Sequence, residues 1–557
     1  MVNLFIFSLL SSTIFYVCGS VFFLNSINKK QTLQEISSQS IYGIIFISLI
    51  ALILNFFVPL TKQINSFFLV IFLFFFILYI KNKINLKKIL FFSFLSGAFS
   101  FLLLVFSYIY NPDAGLYHYP YINILNNEKI ILGLSNLHFR YGHISIIQYT
   151  SAFFNNFLFN INGIVIPLAS LASFIILNFL FKILEGLKEK KINFHIIFLT
   201  LVLIYISYKM NRYSEYGNDA PAHFLFFFLI SETLKNYNYN IIAQRFNLLL
   251  LSTFIFLNKI TLGLVFLIPI ALIKLKNFKQ LNNISFYFSA LLLLLWILKN
   301  IFVSGCLIYP SKITCIKKLD WTNITQTSKI SIQSEAWSKG WSDRKNKQIN
   351  MKDFNINFNW FDAWTNKHLK KINEILLPYV IFLIFIYLIL TLMKTDKKRN
   401  KNIKRENKYN KKIILLVSLL GCVFWFLKFP IYRYGYSYII ITIVIIFSTI
   451  FYDKITYLNF EKQKKIILFL TILSLSVLFV KQVTRIAKNY DVQYNNYPWP
   501  KYFSFSKNNN QISLMSKKIN GKLIYKSDEY CMYSKAPCSH ESINIKISKW
   551  HNYLIFK

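Results

Sequence analysis

Long apolar runs alternate with short basic connections along the whole chain. Runs that can cross a bilayer fall near residues 4–25, 41–60, 66–81, 89–110, 162–182, 193–210, 221–234, 283–303, 371–393, 413–429, 436–453 and 465–482. Each is about 14 to 23 residues long and predicts a helix. Leu248 to Ile273 is interrupted by Asn258-Lys259 and reads either as one long span or as two short ones meeting at a polar tip. Basic residues in short loops mark the cytoplasmic side. The densest cluster runs from Lys394 to Lys412, and counting outward puts Lys81/Lys83/Lys87/Lys88, Lys182/Lys188/Lys190/Lys191, Lys274/Lys276/Lys279 and Lys454/Lys462/Lys464/Lys465 on that same side. Only the two-span reading of 248–273 keeps every cluster together.

The pattern predicts an all-α integral membrane protein, a polytopic bundle of about fourteen transmembrane spans with both termini non-cytoplasmic. Asn3 to Phe23 lacks a basic leader and a small-residue cleavage site, so it reads as a retained span. The expected organisation is N-terminal spans over 1–110, a first large outer loop over 111–161 and a transmembrane core over 162–303. A second outer loop over 304–370, C-terminal spans over 371–482 and a small outer domain over 483–557 follow.

Composition sharpens this picture. Charged residues make up 15% of the chain, against about 25% in soluble domains. The net charge of +41 would suit nucleic acid, but the cations cluster between apolar runs instead of lining one soluble face, so the bilayer is the expected partner. Cys18 and Cys422 lie in apolar runs and read as small buried hydrophobes. Cys306, Cys315, Cys531 and Cys538 all fall in segments placed outside by charge alone, where disulfides are permitted. Their short spacings suggest Cys306–Cys315 and Cys531–Cys538, one of three connectivities.

The most chemically informative stretch is Tyr110-Asn111-Pro112-Asp113-Ala114-Gly115-Leu116-Tyr117-His118-Tyr119-Pro120, followed by Glu128, His138, Arg140 and His143. Asp and Glu total only 22, so a carboxylate where a span leaves the membrane stands out. It can act as general base toward an acceptor hydroxyl or hold a divalent metal, and it can equally be a loop residue capping a short helix. Arg212, Glu215 and Asp219 form a second polar turn, able to supply another carboxylate or merely to solvate a loop. Trp321, Trp337, Trp341, Trp360 and Trp364 suggest an interfacial belt or an aromatic platform for a sugar.

Asp113, Tyr117 and His118 resemble the first outer loop of the GT-C class of integral membrane glycosyltransferases. Pro430-Ile431-Tyr432-Arg433-Tyr434 and Asn258-Lys259 add two further echoes, and Ser304-Gly305-Cys306-Leu307-Ile308-Tyr309-Pro310-Ser311 resembles an element of multi-spanning bacterial membrane proteins. The resemblance implies a bacterial inner-membrane enzyme that moves a sugar from a polyprenyl-phosphate donor to a glycan or lipid acceptor. It makes Asp113 and His118 catalytic. Tyr117, Arg140, His143, Arg212, Glu215, Asp219, Lys259, Arg433 and Tyr434 become substrate-binding. The acidic loop follows the fourth apparent span instead of the first. Ala114 stands where a second acidic residue is common, so no cofactor follows and a divalent metal stays an open option. Two other readings remain: an envelope polysaccharide polymerase or ligase, and a lipid or solute transporter. Ser304–Leu369 holds only Arg344 and His368 as the Arg and His a polymerase would need there. Transporters usually keep ionisable groups near the midplane and often show paired halves, whereas these spans carry little charge and show no repeat.

Overall fold

The computed structural model describes residues 1–23, 31–80, 85–107, 112–143, 145–210, 217, 219–235, 242–273, 283–393, 408–490, 499–500, 512–541 and 543–557. Helices α1 (Val2–Gly19), α2 (Leu33–Phe57), α3 (Lys62–Ile80) and α4 (Leu86–Leu104) open the bundle. Short α5 (Tyr119–Asn127) and α6 (Ile147–Phe153) lie in the 112–161 segment, ahead of α7 (Ile166–Lys188), α8 (Phe194–Lys209) and α9 (Asp219–Leu234). Next come α10 (Ile242–Asn258), α11 (Leu267–Leu272) and α12 (Ile284–Ser304), then the small helices α13 (Ile324–Ser338), α14 (Met351–Phe354) and α15 (Phe361–Trp364). Helices α16 (Lys370–Leu392), α17 (Lys408–Lys428), α18 (Tyr432–Ile455) and α19 (Phe460–Tyr490) close it.

Among the described residues, 9 helices are long and apolar enough to cross a membrane. The protein is therefore read as a helical membrane protein. The other predicted runs coincide with α3, α8, α9, α10 and the Ile260–Leu272 arm, whose described apolar stretches are shorter, so length alone does not establish fourteen spans. Lys81, Lys83, Lys274, Lys276, Lys279 and most of the 394–412 cluster lie outside the described residues.

The interrupted stretch turns back on itself. Helix α10 ends at Asn258, Lys259 is extended (φ −152°, ψ 103°), and a 3₁₀ stretch from Ile260 leads into α11. The Phe256 and Phe266 rings lie 5.6 Å apart, whereas ten residues of straight helix would separate them by about 15 Å. Two arms thus meet at a polar tip.

The tail departs from the all-α expectation. Strands β1 (Leu514–Ile519) and β2 (Lys522–Ser527) form an antiparallel hairpin, and β3 (Cys538–Ser539) joins β2 in parallel. Strands β4 (Ile547–Trp550) and β5 (Tyr553–Phe556) form a second hairpin. Disulfides link Cys306 to Cys315 and Cys531 to Cys538. Helix α19 also runs to Tyr490, past the expected boundary at 482.

This strand unit clamps the 112–161 segment. Met532 N–H donates to Gly115 O (2.8 Å), Leu132 N–H to Leu554 O (2.9 Å) and Phe556 N–H to Leu132 O (2.8 Å). Asn123 Nδ2 donates to Ser534 O (3.1 Å), and Glu128 pairs with Lys522. Gly133 lies at the seam with φ 69°, where a Cβ would strike Phe556 O and the Trp321 side chain. Left-handed backbone costs a non-glycine residue roughly 1–2 kcal/mol before any clash. Gly133→Ala is therefore expected to loosen the tail, read as faster proteolytic release of residues after 490 and a lower unfolding temperature.

Candidate functional site

Four segments far apart in sequence meet at one end of the bundle. Arg485 of α19 donates from Nη1 to Val105 O (2.6 Å) and from Nη2 to Leu102 O (2.6 Å). It thereby caps the carbonyl end of α4 with positive charge, just before the acidic segment. Asp113 precedes the wide π-helical turn Ala114–His118, but its carboxylate makes no cap bond to that turn. Instead Arg433 Nη1 donates to Asp113 Oδ2 at 3.1 Å. Arg433 Nε lies 3.8 Å from Asp219 Oδ2, and Asp219 Oδ1 pairs with Lys259. The Asp113–Arg433–Asp219–Lys259 chain balances two negative charges against two positive ones.

Each member is held by its surroundings. Trp364 Nε1 donates to Pro430 O (2.7 Å) and Trp425 Nε1 to Ile431 O (2.7 Å), fixing the turn before Arg433. Trp360 and Trp364 are buried and pack on Phe426, so they brace the site instead of offering an open sugar platform. His223 lies one turn along α9 from Asp219; its Nε2 meets Arg433 O at 2.9 Å and its Nδ1 meets Ser437. At the hairpin tip, Asn258 Oδ1 accepts from Ser145 Oγ (2.7 Å) and Ile147 N–H (3.2 Å). Lys259 meanwhile reaches Asp219 and stands 4.2 Å from the Tyr434 ring centroid. The two residues of one polar tip thus join the 145–148 turn to the charged chain.

His118 is buried. Ser145 N–H donates to Gln148 Oε1 (3.2 Å), which leaves the Gln148 amide N–H to donate to His118 Nδ1 (2.9 Å). The network assigns the ring proton to Nε2. Burial pushes the imidazole down to about 4; Asp113 and Asp219 oppose this, while Arg433 and Arg140 add to it. An unfolded histidine titrates near 6.5, so between roughly 6.5 and 4 the unfolded chain binds a proton that the native ring refuses. Stability is fully present above that window and falls as pH drops through it, by roughly 3 kcal/mol for this group. Thermal unfolding from pH 7 to 4 checks this: the decline is expected to be shallower in His118→Gln than in the wild type.

The other predicted residues divide. Tyr117 packs beside His118 with the rings tilted by 51° and centroids 4.3 Å apart, and the Arg140 guanidinium lies 5.6 Å from the Tyr117 ring centroid. His143 turns away from the charged chain and packs on Tyr309 (5.1 Å). Arg212 and Glu215 lie outside the described residues. Gln148 and His223 are additional members that the chain's polar pattern had not singled out.

Asp113 and Asp219 are each engaged by cations, which does not fit a metal held between them. Elsewhere, His138, His540 and Glu541 bring their ligand atoms within 4.8 Å of one another. His138 Nδ1 accepts from Arg140 N–H (3.3 Å), which leaves the ring proton on the nitrogen that would have to ligate. As placed, the group is a polar contact between the tail and the segment beneath it.

No curated protein and no solved structure matches this chain. Residues 1–440 match the family described as Domain of unknown function (DUF8201), and the chain belongs to that family.

Proposed function

We propose that the protein transfers a sugar from a polyprenyl-phosphate donor to an acceptor hydroxyl on the non-cytoplasmic face of a bacterial inner membrane. About fourteen spans would be threaded with both termini on that face. The observation that carries the reading is the Asp113–Arg433–Asp219–Lys259 chain beside His118. It combines a carboxylate able to take a proton with a guanidinium whose side chain is 42% exposed. In the reaction Asp113 accepts the acceptor's hydroxyl proton as the new C–O bond forms at the sugar's anomeric carbon. The bond from that carbon to the phosphate oxygen breaks, and its electron pair leaves with the lipid phosphate. Arg433 and Lys259 offset the charge that develops there. His118, neutral with its proton on Nε2, serves as a hydrogen-bond donor that positions the acceptor or Asp113.

The arrangement favours this reading over transport. The buried Lys182–Glu232 ion pair (2.5 Å) lies toward the far end of α9 from Asp219, about 20 Å away along the helix, and the described part of α9 between Asp219 and Glu232 carries no ionisable group except His223. Transporters concentrate ionisable groups near the midplane. The test is product binding. Purified protein in phosphatidylcholine nanodiscs is expected to be stabilised by a polyprenyl phosphate, and Arg433→Gln to abolish that shift. An unchanged shift in Arg433→Gln would remove Arg433 from the phosphate site.

A further inference from the structure

Lys299 sits on the inward face of α12 with Trp296, Asn300 and Val303, all buried. It lies five positions before the helix end at Ser304, about 8 Å along the axis. A lysine at that depth ordinarily snorkels to the headgroups or pairs with an acid. Lys299 does neither: it is 0% exposed, and among the described residues its Nζ has no hydrogen-bond partner and no carboxylate in ion-pair range. Its neighbour is the Trp296 ring, 5.3 Å from Nζ to the centroid. A buried amine with no counter-charge keeps its proton only against the full loss of hydration, so a ligand that supplies negative charge is favoured there.

The groups around it share the deficit. His143 Nε2 and Trp296 Nε1 are also buried without partners among the described residues. The Ser304–Ser311 element brings His143 over this end of α12. Asn300 Nδ2 donates to Leu307 O (3.0 Å), Ser304 Oγ donates to Asn300 O (2.8 Å), and the Tyr309 ring lies against Gly142 so closely that a Cβ there would overlap it. His143 N–H donates to Arg140 O (3.0 Å), so the two residues share one turn; burial first, then Arg140 and Lys299, hold the His143 imidazole down to about 3. The Arg140 guanidinium itself lies over the Phe139 and Tyr117 rings, 4.8 and 5.6 Å from their centroids. Glu541 feels Arg140 but forms no ion pair with it.

We infer that Lys299, His143 and Arg140 form a second, phosphate-type oxyanion site beneath the 139–143 turn, separate from the Asp113–Arg433 chain. A phosphate group brings the counter-charge that neither Lys299 nor Arg140 has among the described residues, and accepts hydrogen bonds from all three side chains. The inference does not depend on the transferase reading.

The test follows thermal unfolding in phosphatidylcholine nanodiscs against sodium phosphate, with sodium chloride holding ionic strength constant. A second arm replaces free phosphate with phosphatidylglycerol in the nanodisc. Wild type is expected to show a saturable rise in at least one arm, and the arm that responds names the source as free phosphate or lipid headgroup. Lys299→Met is expected to unfold at a higher temperature than ligand-free wild type, since an unpaired charge is gone, and to lose the rise. His143→Gln is expected to weaken the apparent affinity about tenfold. Arg433→Gln is expected to retain the Lys299-dependent rise, which separates this site from the first. No rise in either arm, or an equal rise in Lys299→Met, overturns the inference.

Discussion

Asp219→Asn is expected to destabilise the protein by roughly 3 kcal/mol, the low end of the 3–5 kcal/mol typical for breaking a buried ion pair. Lys259 would lose its counter-charge and keep neutral partners, the new amide oxygen, the Arg433 carbonyl (3.3 Å) and the Tyr434 ring, while its side chain is just 7% exposed. The lower end applies because the Asp219 carboxylate is 32% exposed and partly solvated already. The double variant Asp219→Asn/Lys259→Met removes both charges and is expected to recover most of the loss. Unfolding of the four members of this cycle in one detergent measures the coupling. Additive losses would mean that the pair contributes nothing specific.

Arg433→Lys is expected to leave stability within about 1 kcal/mol of wild type, because the side chain it replaces is 42% exposed. Lipid-phosphate release is nevertheless expected to fall about 100- to 1,000-fold. The guanidinium addresses Asp113 from Nη1 while its Nε faces Asp219, leaving its remaining edge for a phosphate. An ammonium is a single point of charge and cannot hold those directions together. Donor turnover in membranes, normalised to folded protein, separates the catalytic loss from the small structural one.

Hydrophobic patterning made the helices legible, because a span must satisfy its backbone internally and be apolar over most of its length. It also placed Asp113, Asp219, Lys259 and Arg433 where apolar runs end. What it could not show is their pairing. Asp113 and Arg433 are 320 positions apart, and nothing local encodes which helix ends adjoin. His223 was within reach, since it falls four residues after Asp219 and so on the same helix face. Lys299 was visible too, as a lone lysine in the apolar run 283–303. Gln148 had no such signal, because a neutral amide in a polar loop looks like any other. The tail's hairpin could have been read from Asn520-Gly521. Both residues adopt positive φ (45° and 80°), as a two-residue hairpin turn of this kind requires.

The central claim is that Asp113 serves sugar transfer from a lipid-linked donor. Its most direct test is a mass-spectrometric profile of envelope glycans and polyprenyl-linked sugars in a deletion strain complemented with wild type or with Asp113→Asn. The account predicts that deletion depletes one glycan and accumulates its lipid-linked donor, and that Asp113→Asn inserts normally but rescues neither. Full rescue by Asp113→Asn would contradict it.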